Sequence, residues 1–175
     1  MERIFLIGYM GSGKTTLGKS LALELGLSFV DLDWYIEQSL YKTVGDIFKE
    51  RGEEGFRLLE KQMLHEVAEF ENVVISTGGG TPCFFDNMQY MNSMGITVFL
   101  NVSHEVLFRR LKVARQSRPL LHNKTDEELL EFIKGGVEGR MCHYSQAKYT
   151  LNADGLETRK EIASSVSKLK AMIKE

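Results

Sequence analysis

Short apolar runs recur along the chain at Ile4–Ile7, Phe29–Val30, Val73–Ile75, Val98–Val102 and Tyr149–Leu151, with helical-looking stretches between them. Strands alternating with helices predict a parallel α/β sheet covered on both faces. The first helix is expected from Lys14 to Leu25, where Leu17, Leu21 and Leu25 share one face and Gly26 closes the end. Ser103 marks the start of a helix over His104–Leu111, and Thr125 with Glu128 three residues on forms a capping box for a helix from Asp126 to about Tyr144. A last helix is expected from about Leu156 to Lys174. Val113–Lys124 is the longest stretch that fits neither period; it carries Arg115 and Arg118 and is expected to be a mobile lid.

Between the first strand and the first helix, Gly8-Tyr9-Met10-Gly11-Ser12-Gly13-Lys14-Thr15 matches the pattern G-x-x-x-x-G-K-[ST]. Glycines there let successive backbone N–H groups point at phosphate oxygens, and the helix N-terminus adds partial positive charge. Gly11, Ser12, Gly13, Lys14, Thr15 and Thr16 are the candidate contacts to ATP. Lys14 is expected to reach the β- and γ-phosphates, and the Thr15 hydroxyl to ligate Mg²⁺.

Composition narrows what such a loop serves. The 175 residues are 43% hydrophobic and 26% charged, which suits one domain over residues 1–175. A net charge of −2 gives no positive field to hold a polyanion, so nucleic acid is not the expected partner. Cys83 and Cys142 belong to no Cys-x-x-Cys pair and point to a reducing compartment. His143 beside Cys142 has no further metal ligand at suitable spacing. The N-terminus reads as a buried strand, and no apolar run reaches membrane-spanning length. The expectation is a soluble cytoplasmic protein with small-molecule partners, a monomer by default.

A phosphate loop does not say what accepts the phosphate. Asp31-Leu32-Asp33 follows the second strand, at the sheet edge where open α/β folds bind ligands, and alternate residues of an extended segment project to one side. Asp31 is a candidate for the metal shell. Asp33 is a candidate to hold the attacking hydroxyl, or to cap the helix expected from Trp34 to about Leu40, and the two roles are compatible. Arg57 and Glu60 share a helix face. Ser76-Thr77-Gly78-Gly79-Gly80 leaves the third strand, and three glycines in a row imply close approach of a ligand to backbone. Arg109, Arg110 and Lys112 are explained by a solvated helix face, whereas Arg115 and Arg118 lie in the loop, where an arginine can fold over a γ-phosphate.

Taken in order, the phosphate loop, Asp31-x-Asp33, Phe56-Arg57-x-x-Glu60, Gly78-Gly79-Gly80 and Arg118-Pro119-Leu120-Leu121 resemble shikimate kinase over almost the whole chain. The resemblance implies a three-layer P-loop kinase fold with a five-stranded parallel sheet of order 2-3-1-4-5. It also implies transfer of the ATP γ-phosphate to the 3-hydroxyl of shikimate, in aromatic amino-acid biosynthesis. By the same resemblance Lys14, Asp33 and Arg118 are catalytic, and a substrate region covers about residues 31–62. Asp33, Arg57, Gly79 and Arg140 would bind substrate, with Glu60 holding Arg57. Arg110 would stack near adenine, and Thr15, Asp31 and Ser76 would surround Mg²⁺. Family members usually follow the second substrate arginine with Pro-Leu-Tyr, whereas Arg140 is followed by Met141-Cys142-His143-Tyr144.

Asn123-Lys124-Thr125-Asp126 matches the guanine-reading N-K-x-D of nucleotide switches, but it follows no buried strand, and no D-x-x-G accompanies it. The remaining alternatives are a related small-metabolite kinase, such as gluconate kinase, and a non-catalytic ATP-binding relative.

Overall fold

A computed structural model describes residues 2–174. Its strands are β1 (Arg3–Ile7), β2 (Ser28–Asp31), β3 (Val73–Ser76), β4 (Ile96–Asn101) and β5 (Tyr149–Asn152). They form a five-stranded parallel sheet in the order β2-β3-β1-β4-β5. Ile4 to Ile7 and Val73 to Ile75 are all 0% exposed, so these central strands are covered on both faces rather than alternating. Successive connections leave β1 in opposite directions, toward β2 and β3 on one side and β4 on the other. That reversal opens a crevice at the carboxyl ends of the strands.

The helices are α1 (Lys14–Leu25), α2 (Leu32–Leu40), α3 (Val44–Ala68), α4 (Asn87–Met94), α5 (His104–Val113), α6 (Asp126–Tyr144) and α7 (Arg159–Lys174). Helix α1 has the bounds its pattern predicts. Leu17 and Leu21 are fully buried, and Gly26 takes the left-handed conformation, φ 69°, that ends a helix most cheaply. The capping box of α6 is formed in both directions: Glu128 N–H donates to Thr125 Oγ1 at 3.2 Å, and Thr125 N–H donates to Glu128 Oε2 at 2.8 Å. Such a cap stabilises a helix by about 1 kcal/mol.

Four expectations are corrected. Helix α7 begins at Arg159, not Leu156, because Thr158 caps it: Glu161 N–H donates to the Thr158 hydroxyl and Thr158 N–H to Glu161 Oε2. The cap of α2 is Asp31, whose Oδ1 accepts from Trp34 N–H at 3.2 Å, and Asp33 lies inside the first turn. The segment 113–124 is not featureless, since Arg115–Ser117 and Pro119–Leu121 form 3₁₀ turns and Leu121 is fully buried. Arg110 does not lie on a solvated face; its guanidinium is half-buried against backbone carbonyls described below.

Helix α3 is interrupted at Gly52, with φ 68° and ψ −179°. A side chain would strain that conformation. The break re-aims the second half of α3, whose inner face carries Phe56, Glu60 and Leu64 into the core.

Candidate active site

The loop from Gly8 to Gly13 turns tightly from β1 into α1. Gly13 caps α1 at φ 93°, and a β-carbon there would collide with Leu156 Cδ1. Lys14 follows, buried to 9% exposure, and its ammonium folds back onto its own loop. It donates to Gly8 O at 2.8 Å, Tyr9 O at 3.0 Å and Ser12 Oγ at 3.4 Å. Burial lowers its pKa to about 8, against the raising pull of Asp33 and Asp31.

This loop forms one wall of a cavity of about 530 Å³ at the carboxyl edge of the sheet. Gly11, Gly13, Lys14, Thr15, Thr16, Asp31, Asp33, Ser76, Gly79, Arg110 and Arg118 all line it. Ser12, Arg57 and Arg140 do not. Ser12 is 1% exposed beneath the loop, and the two arginines stand behind the glycine segment.

Asp31 ends β2 with Ser76 as its register partner on β3. Its Oδ2 accepts from the Thr15 hydroxyl at 2.8 Å while its Oδ1 caps α2. Thr15, Asp31 and Ser76 offer oxygen donors, the kind a hard divalent cation prefers. So small a set of protein oxygens beside a phosphate cradle suits Mg²⁺, which keeps waters and shares its remaining positions with phosphate.

Asp33 lies two residues further along, in the first turn of α2 and on the cavity wall. Burial first, then the Glu60 and Asp31 carboxylates, push its pKa up to about 6, with Lys14 opposing. The group is therefore ionised at neutral pH but closer to accepting a proton than an ordinary aspartate. A β-carbon on Gly78 would meet Thr81 Oγ1 at 3.0 Å, Asp33 Oδ1 at 3.1 Å and Glu60 Oε2 at 3.2 Å. Glycine is the residue that lets these three polar groups converge.

Arg57 packs over the Phe84 ring at 4.1 Å and the Phe56 ring at 5.3 Å, and its Nη1 donates to Glu60 Oε1 at 2.9 Å. Its Nε is buried without a hydrogen-bond partner. A β-carbon on Gly80 would lie 2.7 Å from Arg57 Nη2, and one on Gly79 3.2 Å from Arg140 Nη1. The two guanidinium groups thus touch consecutive glycines of one turn. Arg140 sits over the Tyr9 ring at 5.2 Å, and the buried Tyr144 hydroxyl donates to Gly79 O at 2.6 Å.

On the other side of the cavity Arg110 donates to Gly11 O at 3.3 Å, Ala153 O at 2.8 Å and Asp154 O at 2.9 Å, and pairs with Glu157 at 3.0 Å. It ties the phosphate loop to the loop after β5. Arg115 and Lys112 both pair with Asp126 at the start of α6, which leaves Arg118 as the arginine of segment 113–124 that lines the cavity. The sequence reading missed Thr77, Leu156 and Glu157 on the cavity wall. Leu156 and Glu157 lie just beyond the carboxyl end of β5, a location where ligand contacts are expected in this architecture.

The family model described as shikimate kinase matches residues 10–170. A curated shikimate kinase of Bacteroides thetaiotaomicron is 62% identical over 173 residues, 99% of each chain. The 1.7 Å crystal structure of shikimate kinase from that organism superposes with a TM-score of 0.94 at 59% identity, covering 99% of each chain. Shikimate kinase from Acinetobacter baumannii, solved in complex with shikimate, superposes with a TM-score of 0.84 at 31% identity, over 99% of this chain and 94% of that one.

Proposed function

The chain belongs to the shikimate kinase family, and we propose that it transfers the γ-phosphate of ATP to the 3-hydroxyl of shikimate, giving shikimate 3-phosphate and ADP in aromatic amino-acid biosynthesis. The observation that carries this reading is one cavity joining a phosphate cradle at Lys14 to the carboxylate of Asp33, with Arg57 and Arg140 behind its glycine wall.

Phosphoryl transfer through a loose transition state asks the protein for position and charge rather than for covalent chemistry. In this reading the Lys14 ammonium exchanges the carbonyls of Gly8 and Tyr9 for β- and γ-phosphate oxygens. Backbone N–H groups of Gly11 to Thr16 hold the same phosphates. Arg118 brings a second cation from the lid, and Arg110 supports the nucleotide side. The bond between the γ-phosphorus and the bridging oxygen of ADP breaks as the shikimate oxygen bonds to phosphorus. Asp33 orients that hydroxyl and accepts its proton late, a task suited to a carboxylate whose pKa is near 6. Thr15, with Asp31 and Ser76 behind it, would hold Mg²⁺, which neutralises phosphate charge.

The substrate carboxylate calls for planar, bidentate donors, and arginine supplies them. Arg57 and Arg140 take that role, Glu60 fixes Arg57, and the Gly79 N–H adds a backbone donor. The account asks for no group from a second copy, and we assign the protein as a monomer. No helix among the described residues is long and apolar enough to cross a membrane, and we assign the protein to the cytoplasm, where ATP is at hand.

The test is the product. After incubation with MgATP and shikimate, phosphorus–proton correlation spectroscopy should show phosphate on the 3-oxygen. Phosphate on another hydroxyl would overturn the positioning assigned to Asp33.

A further inference from the structure

Thr81 lies just past the glycine turn, fully buried, with a polar side chain that the account above does not use. Its N–H donates to Gly78 O at 3.2 Å, and its carbonyl accepts from Asn87 Nδ2 at 2.9 Å, so its backbone is held from both sides. Asn87 is itself 0% exposed at the start of α4. The Thr81 hydroxyl then donates to Glu60 Oε2 at 2.8 Å. The other oxygen of the same carboxylate, Oε1, accepts from Arg57 Nη1 at 2.9 Å.

Glu60 is 1% exposed, so this carboxylate depends on its protein donors in place of water. Its two oxygens are fixed in one plane. A donor that holds Oε2 therefore also sets where Oε1 stands, and with it the guanidinium of Arg57. The aromatic rings around Arg57 attract a cation without fixing its rotation, because the attraction to a ring face is weakly directional. Orientation must come from hydrogen bonds.

We propose that Thr81 is a positioning residue for substrate binding: its hydroxyl locks Glu60, which holds the Arg57 fork at the angle that grips the substrate carboxylate. The proposal rests on the reading of Arg57 as a carboxylate receptor. It reaches one residue beyond the Arg57–Glu60 pair and separates the hydroxyl of Thr81 from its methyl, since a merely space-filling threonine would tolerate valine.

Steady-state kinetics with shikimate and ATP varied separately test it on wild type, Thr81→Val, Thr81→Ser and Thr81→Ala. Loss of a hydrogen bond to a buried charge predicts that Thr81→Val raises KM for shikimate about tenfold. KM for ATP should stay within about twofold, because the phosphate loop keeps its contacts. Thr81→Ser should return KM for shikimate toward wild type. Should valine prevent folding, the Ala and Ser variants, which both lack the methyl, decide: the alanine variant should show the higher KM by about tenfold. Equal KM for Ala and Ser, an unchanged KM in Thr81→Val, or a parallel rise in both KM values would overturn the proposal. A wild-type protein that does not respond to shikimate would instead defeat the substrate reading on which it rests.

Discussion

The ammonium of Lys14 lies 2.8 Å from the carbonyl oxygen of Gly8, the residue that opens its own loop. A lysine satisfied by its loop keeps its charge in the cavity ready for exchange onto phosphate. That charge is present below about pH 8, where burial has moved its pKa, while the Asp33 carboxylate is ionised above about pH 6.

These two values predict a bell-shaped kcat/KM for shikimate, since both ionised forms are required and that ratio reports the free enzyme. Activity should rise through about pH 6 and fall above about pH 8. Asp33 governs the acid limb and Lys14 the alkaline one. A profile that is flat from about pH 5 to 9 would contradict the roles given to both.

Asp33 should also cost the fold stability. A folded-state pKa of about 6 against an ordinary 3.8 means the folded chain binds its proton more tightly, so stability falls as pH rises between those values and the penalty is complete above the upper one. Asp33→Asn is therefore expected to abolish turnover yet stabilise the protein at pH 7.5 by about 1–2 kcal/mol, a few degrees in Tm. Below about pH 4 the gain should vanish. Calorimetry at the two pH values checks this.

Arg57 and Arg118 should separate kinetically. Arg57→Ala removes a contact made to the bound acid and should mainly raise KM for shikimate, by about tenfold or more. Arg118→Ala removes charge needed as phosphate transfers and should mainly lower kcat, by about 10³-fold. Initial-rate kinetics with both substrates varied measures each. The reverse pattern would exchange the two roles.

The lid should close over nucleotide. Asp126 pairs with both Lys112 and Arg115, so the base of the segment is anchored while Leu120, at its tip, is 69% exposed. Amide hydrogen exchange across residues 113–124 is expected to slow by about tenfold or more with a non-hydrolysable ATP analogue and Mg²⁺. Equal exchange with and without the analogue would remove the lid from the account.

Much of this arrangement was legible in the residues, for identifiable reasons. Helix α1 has the predicted bounds because a leucine stripe and a terminal glycine agree. The α6 capping box is local chemistry readable from four residues. The positions of Asp31, Asp33 and Ser76 on one cavity follow from strands ending at one edge of a parallel sheet. What escaped depends on contacts between distant segments. Asp31, not Asp33, caps α2, because the strand runs to Asp31 and the helix begins directly after it at Leu32. The engagement of Arg110 requires knowing that the loop after β5 returns to the phosphate loop. The contacts of Thr81, Tyr9 and Tyr144 likewise join segments far apart in the chain, with Glu60, Arg140 and the glycine turn.

The most direct measurement is ADP release by the purified protein with MgATP alone and with shikimate, gluconate, quinate or AMP added separately. The account predicts that shikimate alone stimulates release, by about 10²-fold or more over the background with MgATP. Stimulation by gluconate in its place, or no stimulation by any acceptor, would contradict it.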